Sequence, residues 1–246
     1  HHLEEAGVSV LTQTRAREIL SKDENSVTLR LAGPADEVRD LTVEKVLVCV
    51  GRRANLNDIG LEAAGVDATA KYIPTDEHMR TNVPGIYAVG DLTFSPQLAH
   101  VAYHEARIAA LDIMGRGTET ADYRGVPYCI FSHPEVARVG LTEEAARELY
   151  PKLQVEIESF SGNGKALIHQ ENSGFLKLLT DGATGQVVGC SIIGPKATEL
   201  IAEPSLAVKL GLNISVFSSN INAHPSLSEV IGETAAAAIG LKLHST

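Results

Sequence analysis

The sequence contains few cysteines, and they are widely spaced. Cys49, Cys129 and Cys190 are the three cysteines among 246 residues, and no Cys-x-x-Cys pair occurs. Each lies in an apolar, strand-like run, so we expect small buried side chains rather than redox-active thiols. Scattered cysteines of this kind are typical of a reducing compartment, and we therefore predict a cytoplasmic protein.

Long apolar runs and an excess of basic charge are also lacking. No stretch approaches the roughly 18 apolar residues that cross a bilayer, and the polar start is unlike a secretory signal. The chain has 31 acidic and 21 basic residues, a formal net charge of −10. Because phosphate contacts need clustered Lys and Arg, we expect neither nucleic acid nor membrane as a partner.

The first fifty residues favour strands. We predict strands over residues 8–13, 26–33 and 41–51, with turns at KDEN and PADE, and the apolar run VLVCV as a buried strand. The opening HHLEEAG resembles the end of a helix that Gly7 terminates. An α/β domain seldom begins on the tail of a helix, so we expect part of the protein to lie upstream.

The next seventy residues contain a candidate ligand site. We predict a short helix in LNDIGLEAAG, a buried strand in GIYAVGD, and a helix from about Leu98 to Gly115. Ligands of open α/β sheets bind beyond the carboxyl ends of strands, where Gly90 would allow close approach and Asp91 could accept hydrogen bonds from sugar or ribityl hydroxyls. A plain strand-to-loop turn explains Gly90 and Asp91 equally well.

From about residue 122 the pattern changes to an α+β domain. GVPYCIFSHPEVARVG predicts a strand and a turn, and Thr142 is placed to cap the helix EEAARELY. An antiparallel meander is predicted from QVEIESF, GFLKLLT and QVVGCSIIG, with DGATG as a hairpin loop. Two helices follow, KATELIAEPSLAVKLG and LSEVIGETAAAAIGLKL, and Pro204 should kink or split the first.

The segment NINAHPSLSE combines an imidazole with a carboxylate. Pro225 restricts His224 to extended geometry, so the imidazole should project from a non-helical segment. Ser226 and Glu229 have the spacing of a helix capping box, with Ser226 as the N-cap. A capping role for Glu229 alone is the favoured interpretation of these residues, but the same carboxylate could also bind one ring nitrogen and leave the other to accept a proton.

The other histidines predict no site. His104 follows His100 by one helical turn, but no set of carboxylates or cysteines completes a metal site. His133 precedes Pro134 in a turn and is interpreted as structural. We therefore predict that no metal is bound.

Six motifs in order give the sequence a family resemblance. They are VGRRAN, TNVPGIYAVGD, LAHVAYHEA, SHPEVARVGLTEEAA, NGKALI and HPSLSE. This order resembles the C-terminal half of the class I pyridine nucleotide-disulfide oxidoreductases, and within that family the dihydrolipoamide dehydrogenases, over about residues 7–240.

The resemblance implies three segments of mixed α/β and α+β architecture. Residues 1–50 would be the C-terminal part of an NAD-binding α/β domain, and residues 51–121 the returning part of an FAD-binding domain. Residues 122–246 would form an interface domain with an antiparallel sheet that makes a homodimer. The implied partner is the lipoyl-bearing domain of a 2-oxoacid dehydrogenase complex.

The resemblance also implies roles for individual residues. Asp91, beside Gly90, would bond the ribityl chain of FAD, and Gly51 would lie beside the nicotinamide nucleotide. His224 would be the general base and acid for the lipoyl dithiol, and Glu229 would orient it. The start of a helix would lie against the flavin, with these residues: Leu98, Ala99 and His100.

Several family features are missing from the sequence. The Gly-rich FAD fingerprint, the active-site cysteine pair and the Gly-rich turn of the NAD domain do not occur. We therefore expect a fragment that is inactive alone and binds FAD weakly. A non-catalytic dimerisation module and the same half of a glutathione-reductase-like enzyme are the alternatives.

Overall fold

A computed structural model describes residues 2–69 and 71–241. The chain divides into two compact units, and the division falls between Arg53 and Ala54 in the sequence. The predicted mixture of helices with antiparallel sheets is confirmed. The further division predicted near residue 121 stays a prediction.

The first unit contains a short helix and a three-stranded antiparallel sheet. Helix α1 (His2–Glu5) is followed by Gly7 at φ +83°, so the predicted helix end is confirmed. The sheet has the order β1 (Arg15–Lys22), β2 (Val27–Ala32), β3 (Val38–Val43). In the predicted turn between β1 and β2, Asp23 accepts the amides of Asn25 and Ser26, each at 2.8 Å.

Two strand predictions for this unit are wrong. Residues 8–13 form no strand, and β1 begins two residues later, in a sequence whose side chains are all exposed. The VLVCV run is likewise not a strand. Val43, the last residue of β3, pairs with Val27, the first residue of β2, so the chain after Val43 has no partner in β2. Leu47 is 88% exposed, and the prediction that Cys49 is buried is wrong too.

The second unit begins with turns and extended chain rather than the predicted elements. LNDIGLEAAG forms hydrogen-bonded turns instead of a helix, with Gly60 and Gly65 at φ +77° and +72°. GIYAVGD is not a strand: Tyr87 forms an isolated bridge with Arg80, and a 3-10 turn follows over Gly90–Leu92. Helix α2 (Ala99–Ile113) is confirmed, and Gly115 at φ +68° follows its end.

A five-stranded antiparallel sheet forms the centre of the second unit. Its order is β4-β5-β8-β7-β6. The predicted meander, the hairpin loop between β7 and β8, and the capping of α3 by Thr142 are confirmed. The elements are β4 (Tyr128–Ile130), β5 (Glu135–Gly140), α3 (Glu143–Leu149), β6 (Leu153–Ser159), α4 (Gly164–His169), β7 (Phe175–Asp181) and β8 (Val187–Gly194).

Helices that follow the sheet contribute to its main core. The predicted split near Pro204 is confirmed: α5 (Ala197–Leu200) ends at Ile201, and α6 (Ala202–Leu210) carries the buried proline in its first turn. Helices α7 (Ile214–Ser218), which the sequence patterns missed, and α8 (Glu229–Ala238) follow. In the described part of the chain, no helix has the length and apolarity that crossing a membrane requires.

The strand pleat directs side chains to two separate cores. On β7, Leu176 and Leu178 face the larger cluster, which includes residues of α5 to α8, whereas Leu179 faces a smaller cluster with Ala146 of α3. Successive side chains of a strand point to opposite faces, so one strand contributes to both clusters.

Candidate active site

His224 and Glu229 form a direct hydrogen-bonded pair. Nδ1 of His224 lies 2.7 Å from Oε1 of Glu229, and the side chains are 81% and 22% exposed. The other carboxylate oxygen, Oε2, accepts the amide of Ser226 at 2.8 Å. The bond from the Ser226 amide and then the bond from His224 lower the pKa of Glu229 below its ordinary value. Glu229 is therefore held as a carboxylate that engages both the loop backbone and the ring.

Only one of the two hydrogen bonds of the predicted capping box is formed, the one from the Ser226 amide to Glu229. Helix α8 begins at Glu229 with Ser228 as its N-cap, so the prediction that Ser226 is the N-cap is wrong. The Oγ of Ser226 lies 2.8 Å from the Oγ of Ser228. Because residues 227 and 228 already form a turn, the chain enters the helix later than the spacing suggested. The favoured interpretation of Glu229 as a cap alone is therefore wrong, because the same carboxylate contacts both the Ser226 amide and the imidazole.

Asn163 contacts the same loop from a distant part of the sequence. Its Nδ2 donates to the carbonyl of Ser226 at 3.1 Å. The motif NGKALI contains Asn163, but nothing in its local sequence signals a contact across 63 positions.

Gly90 and Asp91 lie at a tightly fixed turn beside helix α2. Gly90 is buried at φ +75°, and a Cβ placed there would be 3.1 Å from the Cβ of Ala102. Its amide donates to Oε2 of Glu105 at 2.5 Å, and Gln97 donates to the carbonyl of Asp91 at 3.2 Å. These bonds connect the turn to α2 and to the residue Gln97 just before it, which brings Asp91 near the beginning of α2.

Glu105 is a second residue that sequence patterns missed. It is 0% exposed and accepts the Tyr123 hydroxyl at 2.7 Å in addition to the Gly90 amide. Burial and then the bond to Glu105 raise the pKa of Tyr123. A charged residue within an amphipathic helix pattern is usually assigned to the solvent face, so only the three-dimensional packing shows this one.

The first turn of α2 exposes part of its surface. Leu98 is the N-cap, without a side-chain cap bond, and is half-buried, whereas Ala99 and His100 are exposed. Nε2 of His100 lies 2.9 Å from the carbonyl of Pro127. Backbone amides at the start of a helix carry partial positive charge, so this end can stabilise an anionic group.

The remaining predicted residues give no metal site and no reactive thiol in the sheet. Gly51 lies in the first unit at φ +120°, with open space where a Cβ would stand. Among the described residues, no group of three or more His, Cys, Asp and Glu side chains could hold a metal ion. Burial raises the pKa of Cys190, and burial followed by Glu135 raises that of Cys129, which disfavours their thiolates.

Comparison with known proteins places the chain in a family. The profile described as "Pyridine nucleotide-disulphide oxidoreductase" matches residues 1–106, and the profile described as its dimerisation domain matches residues 126–235. A dihydrolipoyl dehydrogenase of Bacillus subtilis is 40% identical over 243 residues, 99% of this chain and 52% of the relative. One from Chlamydia trachomatis is 46% identical over 200 residues, 81% of this chain and 43% of the relative.

Solved structures agree with this grouping. LpdA from Mycobacterium tuberculosis has a TM-score of 0.86 at 28% identity, over 96% of this chain and 50% of that one. The HOCl-induced flavoprotein disulfide reductase RclA from Escherichia coli also has a TM-score of 0.86, at 27% identity, over 96% of this chain and 53% of that one. The chain spans about half the length of the relatives it matches. It belongs to the pyridine nucleotide-disulphide oxidoreductase family.

Proposed function

We propose that the chain is the C-terminal half of a dihydrolipoamide dehydrogenase, which oxidises dihydrolipoamide with NAD⁺ by way of FAD and a cysteine pair. The 2.7 Å bond between His224 Nδ1 and Glu229 Oε1 carries this proposal. The identities of 40% and 46% to dihydrolipoyl dehydrogenases support the substrate class. In the balanced reaction the dithiol loses two electrons and two protons, NAD⁺ takes up a hydride, and one proton is released.

The pair has the geometry of a general base and its orienting group. A carboxylate on Nδ1 favours the tautomer in which Nδ1 carries the hydrogen, so the lone pair is on Nε2. Nε2 can then take the proton of a dithiol sulfur, and the resulting thiolate attacks a disulfide. Assistance of this kind is worth on the order of 10² to 10⁴ in rate.

The residues near Gly90 fit a flavin on chemical grounds. Asp91 offers a carboxylate next to a backbone held at positive φ, and the exposed start of α2 offers positive potential. In the intact enzyme Asp91 would hold the ribityl chain, and Leu98, Ala99 and His100 would lie against the ring. FAD, when bound, supplies the two-electron chemistry between sulfur and the nicotinamide.

The residues that would bind the phosphates of FAD and NAD are not found in this sequence. No G-x-G-x-x-G fingerprint and no closely spaced cysteine pair occur in the sequence. We therefore infer that the isolated chain binds FAD weakly and is inactive. Gly51, with open space where a Cβ would stand, would lie beside the nicotinamide nucleotide.

The intact protein is inferred to be a cytoplasmic homodimer. The dimerisation-domain match over residues 126–235 supports self-association, with residues 122–246 as the interface domain. Exposed apolar side chains support it too, because Ile221 is 94% and Phe131 is 83% exposed. The lipoyl domain of a 2-oxoacid dehydrogenase complex is the proposed partner.

A chimera tests the activity directly. The chain would replace the corresponding half of the Bacillus subtilis relative, and NADH formation from dihydrolipoamide would be followed by absorbance. The chimera should be active, and His224→Gln should lower its rate by about 10² to 10⁴ because the thiol loses its base.

His133 provides the matched control. Like His224, it is an exposed histidine directly before a proline. His133→Gln should leave the rate unchanged. Equal rates for the parent chimera and His224→Gln would contradict the proposed function.

A further inference from the structure

The backbone of Ser226 is held at both of its polar groups. Its amide donates to Oε2 of Glu229 at 2.8 Å, and its carbonyl accepts Nδ2 of Asn163 at 3.1 Å. Pro225 fixes the φ angle immediately before it. The backbone of Ser226 is therefore tied to the start of α8 through its amide and to the start of α4 through its carbonyl.

Asn163 is itself firmly anchored. It is only 4% exposed, and its Oδ1 caps α4 by accepting the amide of Ala166 at 3.0 Å. Its backbone amide donates to the carbonyl of Phe160 at 3.0 Å, and Phe160 belongs to the main core with 0% exposure. Because the oxygen is committed to the cap, the amide nitrogen is directed at the Ser226 carbonyl.

We propose that Asn163 is a positioning residue for His224. Asn163 anchors the loop of His224 to the core. The imidazole is then held in the orientation in which Glu229 contacts it. Asn163 acts through Ser226 and does not itself touch the reacting sulfur. This inference rests on the proposed function for its catalytic meaning, but the contact can be tested without it.

Two substitutions separate positioning from capping. Asn163→Ser and Asn163→Asp both keep a good N-cap acceptor for α4, but neither supplies the amide donor. Hydrogen exchange of the Ser226 amide, measured by NMR in the whole chain, reports how often this loop opens. Exchange should rise about fivefold in Asn163→Ser, the factor that corresponds to one net hydrogen bond. It should rise further in Asn163→Asp, where two acceptors oppose each other.

Asn213 offers a matched control at another helix. Its Oδ1 accepts the amide of Ser215 at 2.9 Å, and its Nδ2 donates to the carbonyl of Thr184 at 2.7 Å. Asn213→Ser should likewise remove a side-chain donor while keeping an N-cap acceptor, yet leave Ser226 exchange unchanged. Unchanged Ser226 exchange in both Asn163 variants, or equal acceleration in Asn213→Ser, would overturn the proposal.

The chimera separates this inference from the proposed function. Faster Ser226 exchange together with an undiminished rate in His224→Gln would leave the contact established and the catalytic assignment wrong. In the reverse result, the His224→Gln chimera is slow but Ser226 exchange is unchanged in the Asn163 variants. That result would support His224 as the base and refute the positioning role of Asn163.

Discussion

The buried bond between Tyr123 and Glu105 leads to a quantitative prediction for stability. Glu105 is 0% exposed and accepts the Tyr123 hydroxyl at 2.7 Å and the Gly90 amide at 2.5 Å. Tyr123→Phe removes one of these donors while keeping the ring. We predict that it destabilises the second unit and loosens the Gly90 turn.

The size of the effect follows from the two donors. A hydrogen bond to a carboxylate is worth about 1.5–3 kcal/mol, and Tyr123 is only partly buried, so Tyr123→Phe should cost about 1.5 kcal/mol. Glu105→Ala leaves the Gly90 amide and the Tyr123 hydroxyl without this acceptor, at about 1–3 kcal/mol each. It should therefore cost about twice as much as Tyr123→Phe or more.

Alkaline pH adds an independent signature. The pKa of Tyr123 is raised in the folded chain, first by burial and then by Glu105, so folding favours the neutral phenol. The stabilisation is complete below the ordinary tyrosine pKa of 10.0 and is lost as the pH rises above it. Tyr123→Phe lacks this group, so its stability should fall less at alkaline pH.

Hydrogen exchange of Ile108 and Ala109, buried residues of α2, reports the second unit alone. Tyr103→Phe is the control, because Tyr103 lies on the same helix and is 80% exposed. Indistinguishable exchange in Tyr123→Phe and Tyr103→Phe would refute the reasoning.

Three further predictions concern the turn, the carboxylate and the thiols. Gly90→Ala should destabilise the second unit by about 1–2 kcal/mol, because φ at this position is +75° and the new Cβ would crowd Ala102. Unchanged amide hydrogen exchange in α2 would contradict this prediction. Because folding lowers the pKa of Glu229, the carboxylate stabilises the folded chain above pH 4.5. The melting temperature of the wild type should therefore exceed that of Glu229→Gln above pH 4.5, and this difference should disappear in stronger acid. A difference in melting temperature that does not change with pH would contradict this prediction. A disulfide reagent should label exposed Cys49 in the folded chain and buried Cys190 only after unfolding, and simultaneous labelling would exclude this.

Local sequence chemistry offered the His224–Glu229 contact only as an alternative to capping by Glu229 alone, and the family resemblance was what assigned the pair a role. Proline restricts the imidazole segment, and a glutamate at the start of a helix turns back toward the preceding backbone. The strands of the meander were predictable from the local sequence, since each is a short apolar run and a turn-forming DGATG segment joins two of them. The start of α8 was misplaced because a turn at residues 227 and 228 precedes it.

Contacts between distant segments were beyond prediction. Asn163 and Ser226 are 63 positions apart, and Glu105 reaches Tyr123 from within a helix. The apolar run at residues 46–50 shows the opposite error, because apolar composition indicates a tendency to be buried but supplies no partner strand. Its predicted burial failed once β3 ended at Val43.

The tautomer of His224 tests the central claim most directly. ¹⁵N NMR of the neutral imidazole in the whole chain distinguishes a hydrogen on Nδ1 from one on Nε2. The bond to Glu229 predicts that Nδ1 is protonated and Nε2 bare, and that Glu229→Gln weakens this preference. A hydrogen on Nε2 in the wild-type chain would contradict the assignment of His224 as the base for the dithiol.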